Sequence, residues 1–277
     1  MLRDEGHALR VNTEARILST MEIVERIGNA EVLLCTLAND ITDEVFDVAP
    51  RLRMVANYAA GYNNIALASA TERGIVVTNT PGALTETTAD LTWALLLACA
   101  RRIVEGDAMC REGRFNGWMP DLLLGREVFG TTLGIVGAGR IGSAVARRGR
   151  AFGMRVLYHS RSRNRQFEKD YEAELVSLQD LFSRSDYTSI HLPANPQTIG
   201  LIDYSVLSRS KPDAILVNTG RGTVLVEADL VRALKEGKLA GAALDVYERE
   251  PVIHPELLRM PNVTLAPHTG SATERTR

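Results

Sequence analysis

The chain has 277 residues, with 32 Lys and Arg against 34 Asp and Glu and a formal net charge of -2. Hydrophobic residues make up 45% and charged residues 24%, the balance of an ordinary globular protein with one large or two medium domains. So even a charge gives no reason to expect nucleic acid or an acidic membrane as partner. The longest apolar run, "WALLLACA", is too short to span a bilayer. No charged-then-apolar leader opens the chain, so a cytoplasmic location is expected. Cys35, Cys99 and Cys110 are odd in number and lack C-x-x-C spacing, which suits reduced thiols. No Cys/His spacing matches a zinc site, and no metal is expected.

Short β-rich runs alternate with helical patterns in two series, the pattern of parallel sheets flanked by helices. In the first series the candidate strands are "ALRV" (8–11), "EVLLCTL" (31–37), "RMVANYAA" (53–60) and "IVVTNTP" (75–81). The segment "STMEIVERIGNA" reads as a helix with Ser19 or Thr20 as N-cap. Next comes "TETTADLTWALLLACARRIVEGDAMCREG", a single long helix candidate opened by Thr85 or Glu86 and stopped by Gly113, long enough to bridge two domains.

The second series begins at Thr131. Its candidate strands are 132–138, 155–160, 187–193, 214–220, 241–246 and 263–267. Six strands in this arrangement match two mononucleotide-binding halves, a doubly wound dinucleotide-binding sheet of the Rossmann type. Ligands of such sheets lie beyond the carboxyl ends of the strands, so the residues just after each strand are the ones to inspect.

The first of these strands runs into Gly137-Ala138-Gly139-Arg140-Ile141-Gly142. A lone G-x-G-x-x-G is a weak signal, but one that ends a strand and opens a helix has the context of a pyrophosphate site. Gly137 allows a tight turn, Gly139 lets a phosphate approach the backbone, and Gly142 lets helix and strand pack closely. The N–H groups of the helix start then face the phosphates. At the end of the next strand, where Asp or Glu would hold the ribose hydroxyls, the chain has "YHSRSRNR" instead. Ser160 brings no charge to repel a 2′-phosphate. Arg161 and Arg163 have the fork geometry to bind one, and Ser162 lies between them. NADP(H) is therefore favoured, with NAD(H) as the alternative.

Three further groups follow late strands. Arg221, in "NTGRG", can capture a carboxylate in two hydrogen bonds. His268, in "APHTGS", can donate or accept a proton near neutral pH. Glu250, in "YEREP", can orient that imidazole and favour its charged form. Together they supply what hydride transfer to a 2-keto acid needs beyond the cofactor.

These residues sit in "NYAAGYNNI", "TNTPGALTETTADL", "GIVGAGRIG", "KPDAILVNTGRGTVLVE", "LAGAALDVYEREP" and "LAPHTGSAT". In content and order these segments resemble the D-isomer-specific 2-hydroxyacid dehydrogenases, most of all the glyoxylate/hydroxypyruvate reductases. The resemblance covers nearly the whole chain. It implies Arg221, Glu250 and His268 as the catalytic three, with His268 as acid/base and Arg221 also on the substrate. It implies that the N–H groups of Ala60 and Gly61 meet the substrate carboxylate. It places Thr88 and Asp245 near the nicotinamide, and Thr219 and Gly220 beside the cofactor. It implies a flavodoxin-like α/β substrate domain over 1–82, a dinucleotide-binding domain over 83–269, and a homodimer joined through the latter. Two departures go with it. The family's first strand, which would precede "DEGHALRV", is absent. So is the last helix, of which 270–277 would be the start, and apolar surface on the substrate domain would be left uncovered. The activity implied is NAD(P)H-dependent reduction of glyoxylate or hydroxypyruvate. The alternatives are another D-2-hydroxyacid dehydrogenase such as a 3-phosphoglycerate dehydrogenase, a nucleotide-sensing binding protein, or an inactive fragment.

Overall fold

A computed structural model describes residues 3–277. The chain divides into two compact units with the boundary between Pro81 and Gly82.

In the first unit α1 (Thr20–Ile27), β1 (Val32–Thr36), α2 (Asp43–Asp47), β2 (Met54–Tyr58), α3 (Leu67–Glu72) and β3 (Val76–Thr78) alternate along the chain. The strands form a parallel sheet in the order β1-β2-β3. Helix α1 opens with a capping box. The Ser19 Oγ accepts from the Glu22 N–H at 3.3 Å, and the Glu22 carboxylate accepts from the Ser19 N–H at 2.9 Å. Two otherwise orphaned donors are thereby satisfied. Ile23, Ile27, Val45, Phe46, Val55 and Ile65 fill the core. At the edge strand β1, Val32 and Leu34 are 55% and 67% exposed. Residues 8–11, expected as a strand, form none. They pair with no strand, Leu9 and Val11 are exposed, and an apolar run without a ladder partner has nothing to hold it extended.

The second unit contains α4 (Thr85–Ala100), α5 (Ile103–Arg111), β4 (Thr132–Val136), α6 (Arg140–Ala151), β5 (Arg155–His159), α7 (Arg165–Tyr171) and β6 (Glu174–Leu175). It continues with α8 (Leu178–Arg184), β7 (Tyr187–Ile190), α9 (Tyr204–Leu207), β8 (Ile215–Asn218), α10 (Glu227–Lys235), β9 (Gly241–Leu244) and β10 (Val263–Leu265). All seven strands run parallel in the order β10-β9-β8-β7-β4-β5-β6. The chain starts at β4, winds outward to β6, and returns to β7 on the other side. The topological switch point, where doubly wound sheets bind nucleotides, therefore lies between β4 and β7. The expected strands are all present, joined by β6, which the sequence pattern does not reveal.

The long helix expected from residue 85 is two helices, both within the second unit. The Ala100 carbonyl leaves the helical ladder and accepts from the Arg126 N–H at 2.8 Å. Arg102 takes a left-handed conformation, φ 53°, and its guanidinium meets Glu105 at 2.9 Å. Gly125 permits the approach, since a Cβ there would lie 2.5 Å from the Ala100 oxygen. A tertiary contact thus overrides a helical pattern. Residues 270–277 group with the second unit, where Thr276 and Thr87 hydroxyls lie 2.7 Å apart.

Two apolar clusters flank the large sheet. In one, Trp93 of α4 stacks on Phe152 at 4.6 Å between centroids, and its indole N–H donates to the Val145 carbonyl at 3.1 Å. Leu133 of β4 is fully buried beneath α6 and packs against Gly149. Leu133→Ala should therefore lower the unfolding free energy by about 2–5 kcal/mol. Urea denaturation followed by circular dichroism checks this, and a change below about 1 kcal/mol would contradict the packing described.

Candidate active site

The turn after β4 has the form a phosphate needs. Gly137 has φ +105°, which side chains seldom adopt, and a Cβ there would sit 2.9 Å from the His191 carbonyl oxygen. A Cβ on Gly142 would collide with the Gly137 carbonyl at 2.2 Å, so this glycine sets how closely α6 approaches its own turn. Gly139 caps α6, and the position of its missing Cβ is open space. The first N–H groups of α6, from Arg140 and Ile141 onward, have no intrahelical acceptors and carry the positive end of the helix dipole. These residues fit a dinucleotide pyrophosphate.

Beyond β5 the loop is ordered by its own polar groups. Ser160 Oγ donates to the Ser162 carbonyl at 2.6 Å, so this hydroxyl shapes the loop. Arg161 is exposed and, among the described residues, has no side-chain partner. Arg163 differs from expectation. Its guanidinium binds both oxygens of Glu168, at 2.9 and 3.1 Å from Nε and 2.9 Å from Nη2. Of the two arginines, Arg163 is paired within the loop and Arg161 is not, among the described residues.

The catalytic candidates lie beyond the carboxyl ends of β8, β9 and β10. Arg221 follows β8. The Asn218 side chain supports the bend, accepting from the Gly220 N–H at 3.0 Å and donating to the Arg221 carbonyl at 3.1 Å. Gly222 is obligatory, because a Cβ there would overlap the Tyr247 backbone at 1.9 Å. Burial pushes the Arg221 guanidinium below its usual value and the negative charge of Glu250 pulls the other way. An arginine remains a cation under either influence.

His268 and Glu250 are directly joined, with Nδ1 and Oε2 2.7 Å apart. A carboxylate only accepts, so Nδ1 carries the proton and, among the described residues, Nε2 is left without a partner. The other Glu250 oxygen accepts from the Tyr247 N–H at 3.0 Å. Burial on its own would raise the Glu250 pKa. The hydrogen bond and charge of His268, the Tyr247 N–H and the Arg221 charge outweigh it, and the carboxyl lies below its ordinary value. A depressed carboxyl contributes stability that is present above its unfolded pKa and lost as the pH falls through the folded one.

His268 itself has φ 53°, an uncommon conformation for a residue with a side chain. Asp245 holds it there. The Asp245 carbonyl accepts from the His268 N–H at 2.9 Å, and its carboxylate accepts from the N–H groups of Thr269 and Gly270 at 2.7 and 2.8 Å. Burial raises the Asp245 pKa and these N–H groups oppose the shift. Thr88 joins the same knot, its hydroxyl donating to the Gly270 carbonyl at 3.1 Å. Thr219 meets Thr92 at 2.7 Å, and Thr92 in turn donates to the Thr88 carbonyl at 2.8 Å. Thr88, Thr219 and Asp245 are thus brought together with His268. Thr92 gives no signal in the sequence, since a threonine inside a helix is an ordinary residue.

In the first unit the loop after β2 presents Ala60 and Gly61. The Asn79 side chain donates to the Ala60 carbonyl at 2.7 Å, and that of Asn57 donates to the Gly61 carbonyl at 2.8 Å. Among the described residues the two N–H groups have no partner. Asn57, buried within "NYAAGYNN", is not distinguished by the sequence, because one asparagine among several carries no periodic signal.

Comparison with known proteins extends these observations. A glyoxylate reductase of Korarchaeum cryptofilum is 52% identical over 257 residues, 92% of this chain and 77% of the relative. A solved structure from Thermus thermophilus superposes with a TM-score of 0.93 at 44% identity, over 100% of this chain and 87% of that one. The NADPH-dependent glyoxylate/hydroxypyruvate reductase of Sinorhizobium meliloti, solved with NADP and malonate, gives 0.83 at 36% identity over 89% and 76%. Residues 93–270 match the model of the D-isomer specific 2-hydroxyacid dehydrogenase NAD-binding domain, and the chain belongs to that family.

Proposed function

We propose that this protein reduces glyoxylate or hydroxypyruvate to the corresponding 2-hydroxy acid, using NADPH in preference to NADH. The observation that carries the reading is the His268 imidazole, fixed at Nδ1 by Glu250 and, among the described residues, without a partner at Nε2. The names and ligands of the relatives agree with it. Bound reduced nicotinamide supplies the hydride to the keto carbon. Arg221 holds the carboxylate and polarises the carbonyl. His268 delivers its Nε2 proton to the developing alkoxide, and the anionic Glu250 stabilises the imidazolium until it does. Thr88, Asp245, Thr219 and Gly220 line the nicotinamide end in this reading. Gly137, Gly139, Arg140, Ile141 and Gly142 receive the pyrophosphate, and Ser160, Arg161 and Ser162 the adenosine end.

The preference for NADPH rests on Arg161, an exposed cation with no side-chain partner among the described residues where an acid would exclude a 2′-phosphate. A homodimer is part of the proposal. From α5 to β4 the second unit exposes Ile103, Val104, Phe115, Trp118, Leu124 and Phe129, with Trp118 81% exposed. Exposed apolar side chains in this number suit a subunit interface. A cytoplasmic location is also proposed, in keeping with three free cysteines.

His268→Asn is the appropriate removal of the acid, because Asn tolerates the left-handed backbone. It should lower kcat by about 10²–10⁴-fold. Glu250→Gln removes the charge that orients and balances the imidazole and should lower kcat about tenfold or more. Full turnover in either variant would remove these roles. For the cofactor, kcat/KM with glyoxylate should be higher for NADPH than for NADH. Arg161→Asp should raise the KM for NADPH at least tenfold, about 1.4 kcal/mol, and leave that for NADH near its original value. Equal loss with both cofactors would mean that Arg161 does not read the phosphate.

A further inference from the structure

We propose that Glu168 and Arg163 form a masked pair that sets cofactor selectivity. Glu168 anchors the loop 160–164, and Arg163 is its counter-ion, hiding a carboxylate that would otherwise repel a 2′-phosphate. This inference rests on the NADPH reading above and changes who does what within it: Arg161 touches the phosphate, and Arg163 does not.

Glu168 is the hub of the loop. Its side chain is mostly buried, 18% exposed, whereas that of Arg163 is 63% exposed. Besides both guanidinium contacts, it accepts from the Tyr158 hydroxyl at 2.7 Å. That hydroxyl accepts from the Asn164 N–H at 3.0 Å. The Asn164 side chain caps α7 by accepting from the Phe167 N–H at 3.0 Å, and reaches across to donate to the Ala138 carbonyl at 3.1 Å. Ala138 lies inside the glycine turn. One connected set of bonds therefore runs from Arg163 through Glu168, Tyr158 and Asn164 to the pyrophosphate site.

The arrangement has a charge problem that Arg163 solves. Tyr158 is fully buried on β5 and its hydroxyl needs an acceptor, which Glu168 supplies. A carboxylate in that place is the same kind of group that excludes NADP from dinucleotide sites with an acid after the second strand. The fork-to-fork contact with Arg163 makes the pair neutral overall. Arg161, which has no side-chain partner among the described residues, is then open to a phosphate. The hydrogen bonds to Arg163 and Tyr158 hold the Glu168 carboxyl below its ordinary value, so it stays ionised and in need of a counter-ion near neutral pH.

The test uses the full chain and two competitive inhibitors, adenosine 2′,5′-bisphosphate and AMP, which differ in the 2′-phosphate. Inhibition constants are measured for the wild type, Arg163→Gln and Arg163→Gln/Glu168→Gln. Arg163→Gln uncovers the carboxylate and should weaken the bisphosphate roughly three- to tenfold, with AMP unchanged. The double variant removes the carboxylate as well, while its amide oxygen still accepts from Tyr158. It should return the bisphosphate to within about twofold of wild type. A double variant as weak as Arg163→Gln would overturn the proposal, since Arg163 would then bind the phosphate directly. An equal loss of AMP binding would overturn it too, in favour of a purely structural role. A wild type that does not distinguish the two inhibitors would instead overturn the NADPH reading, and the masked pair with it.

Discussion

Much of the geometry around His268 depends on one buried carboxylate. Asp245 is 1% exposed and gives up hydration to sit at the end of β9. Burying a charge is unfavourable unless it is fully hydrogen-bonded. Asp245 achieves this by accepting from Thr269 and Gly270, the two residues that follow His268. The same bonds force the chain at His268 into a left-handed turn, a conformation costing of order 1 kcal/mol for a residue with a side chain. The strain is therefore tied to the burial of the carboxylate. Relaxing the turn would leave Asp245 short of donors in a poorly solvated place.

Around that knot the parallel sheet performs the assembly. Strands β8, β9 and β10 are adjacent and run the same way, so Arg221, Glu250 and His268 emerge from one edge although the sequence spreads them over 48 positions. The charges are balanced locally. Glu250 lies among His268, Arg221 and a backbone N–H, which keeps it ionised although it is half buried. At the other side of the switch point the loop after β5 follows the same logic, with its acid covered by an arginine. Electrostatic order in this molecule comes from neutralised groups that leave particular cations facing outward.

The sheet strands, the glycine turn and the residues proposed as catalytic are legible in the sequence because each rests on a local signal. Buried parallel strands read as apolar runs, and glycines at Gly137 and Gly142 are demanded by backbone contacts. What stays hidden depends on distant partners. Strand β6 has two residues, both exposed, and exists by pairing with Leu157 and Tyr158. The break between α4 and α5 follows from Arg126 and Gly125, far along the chain. Residues 8–11 have strand-like composition and no strand to join. Arg163 reads as a phosphate ligand because its ion pair with Glu168 is set by the fold of the loop, which residue type alone does not disclose.

The Asp245 knot also has a consequence for the order in which the protein becomes competent. A domain generally folds as a unit, and here the glycine turn and the knot at His268 belong to the same one although they are far apart in the chain. His268 is positioned only by bonds that its successors, Thr269 and Gly270, make back to Asp245. A chain extended only as far as His268 would hold a complete glycine turn with an unanchored imidazole. The placement of the imidazole is therefore completed only by residues that follow it in the chain.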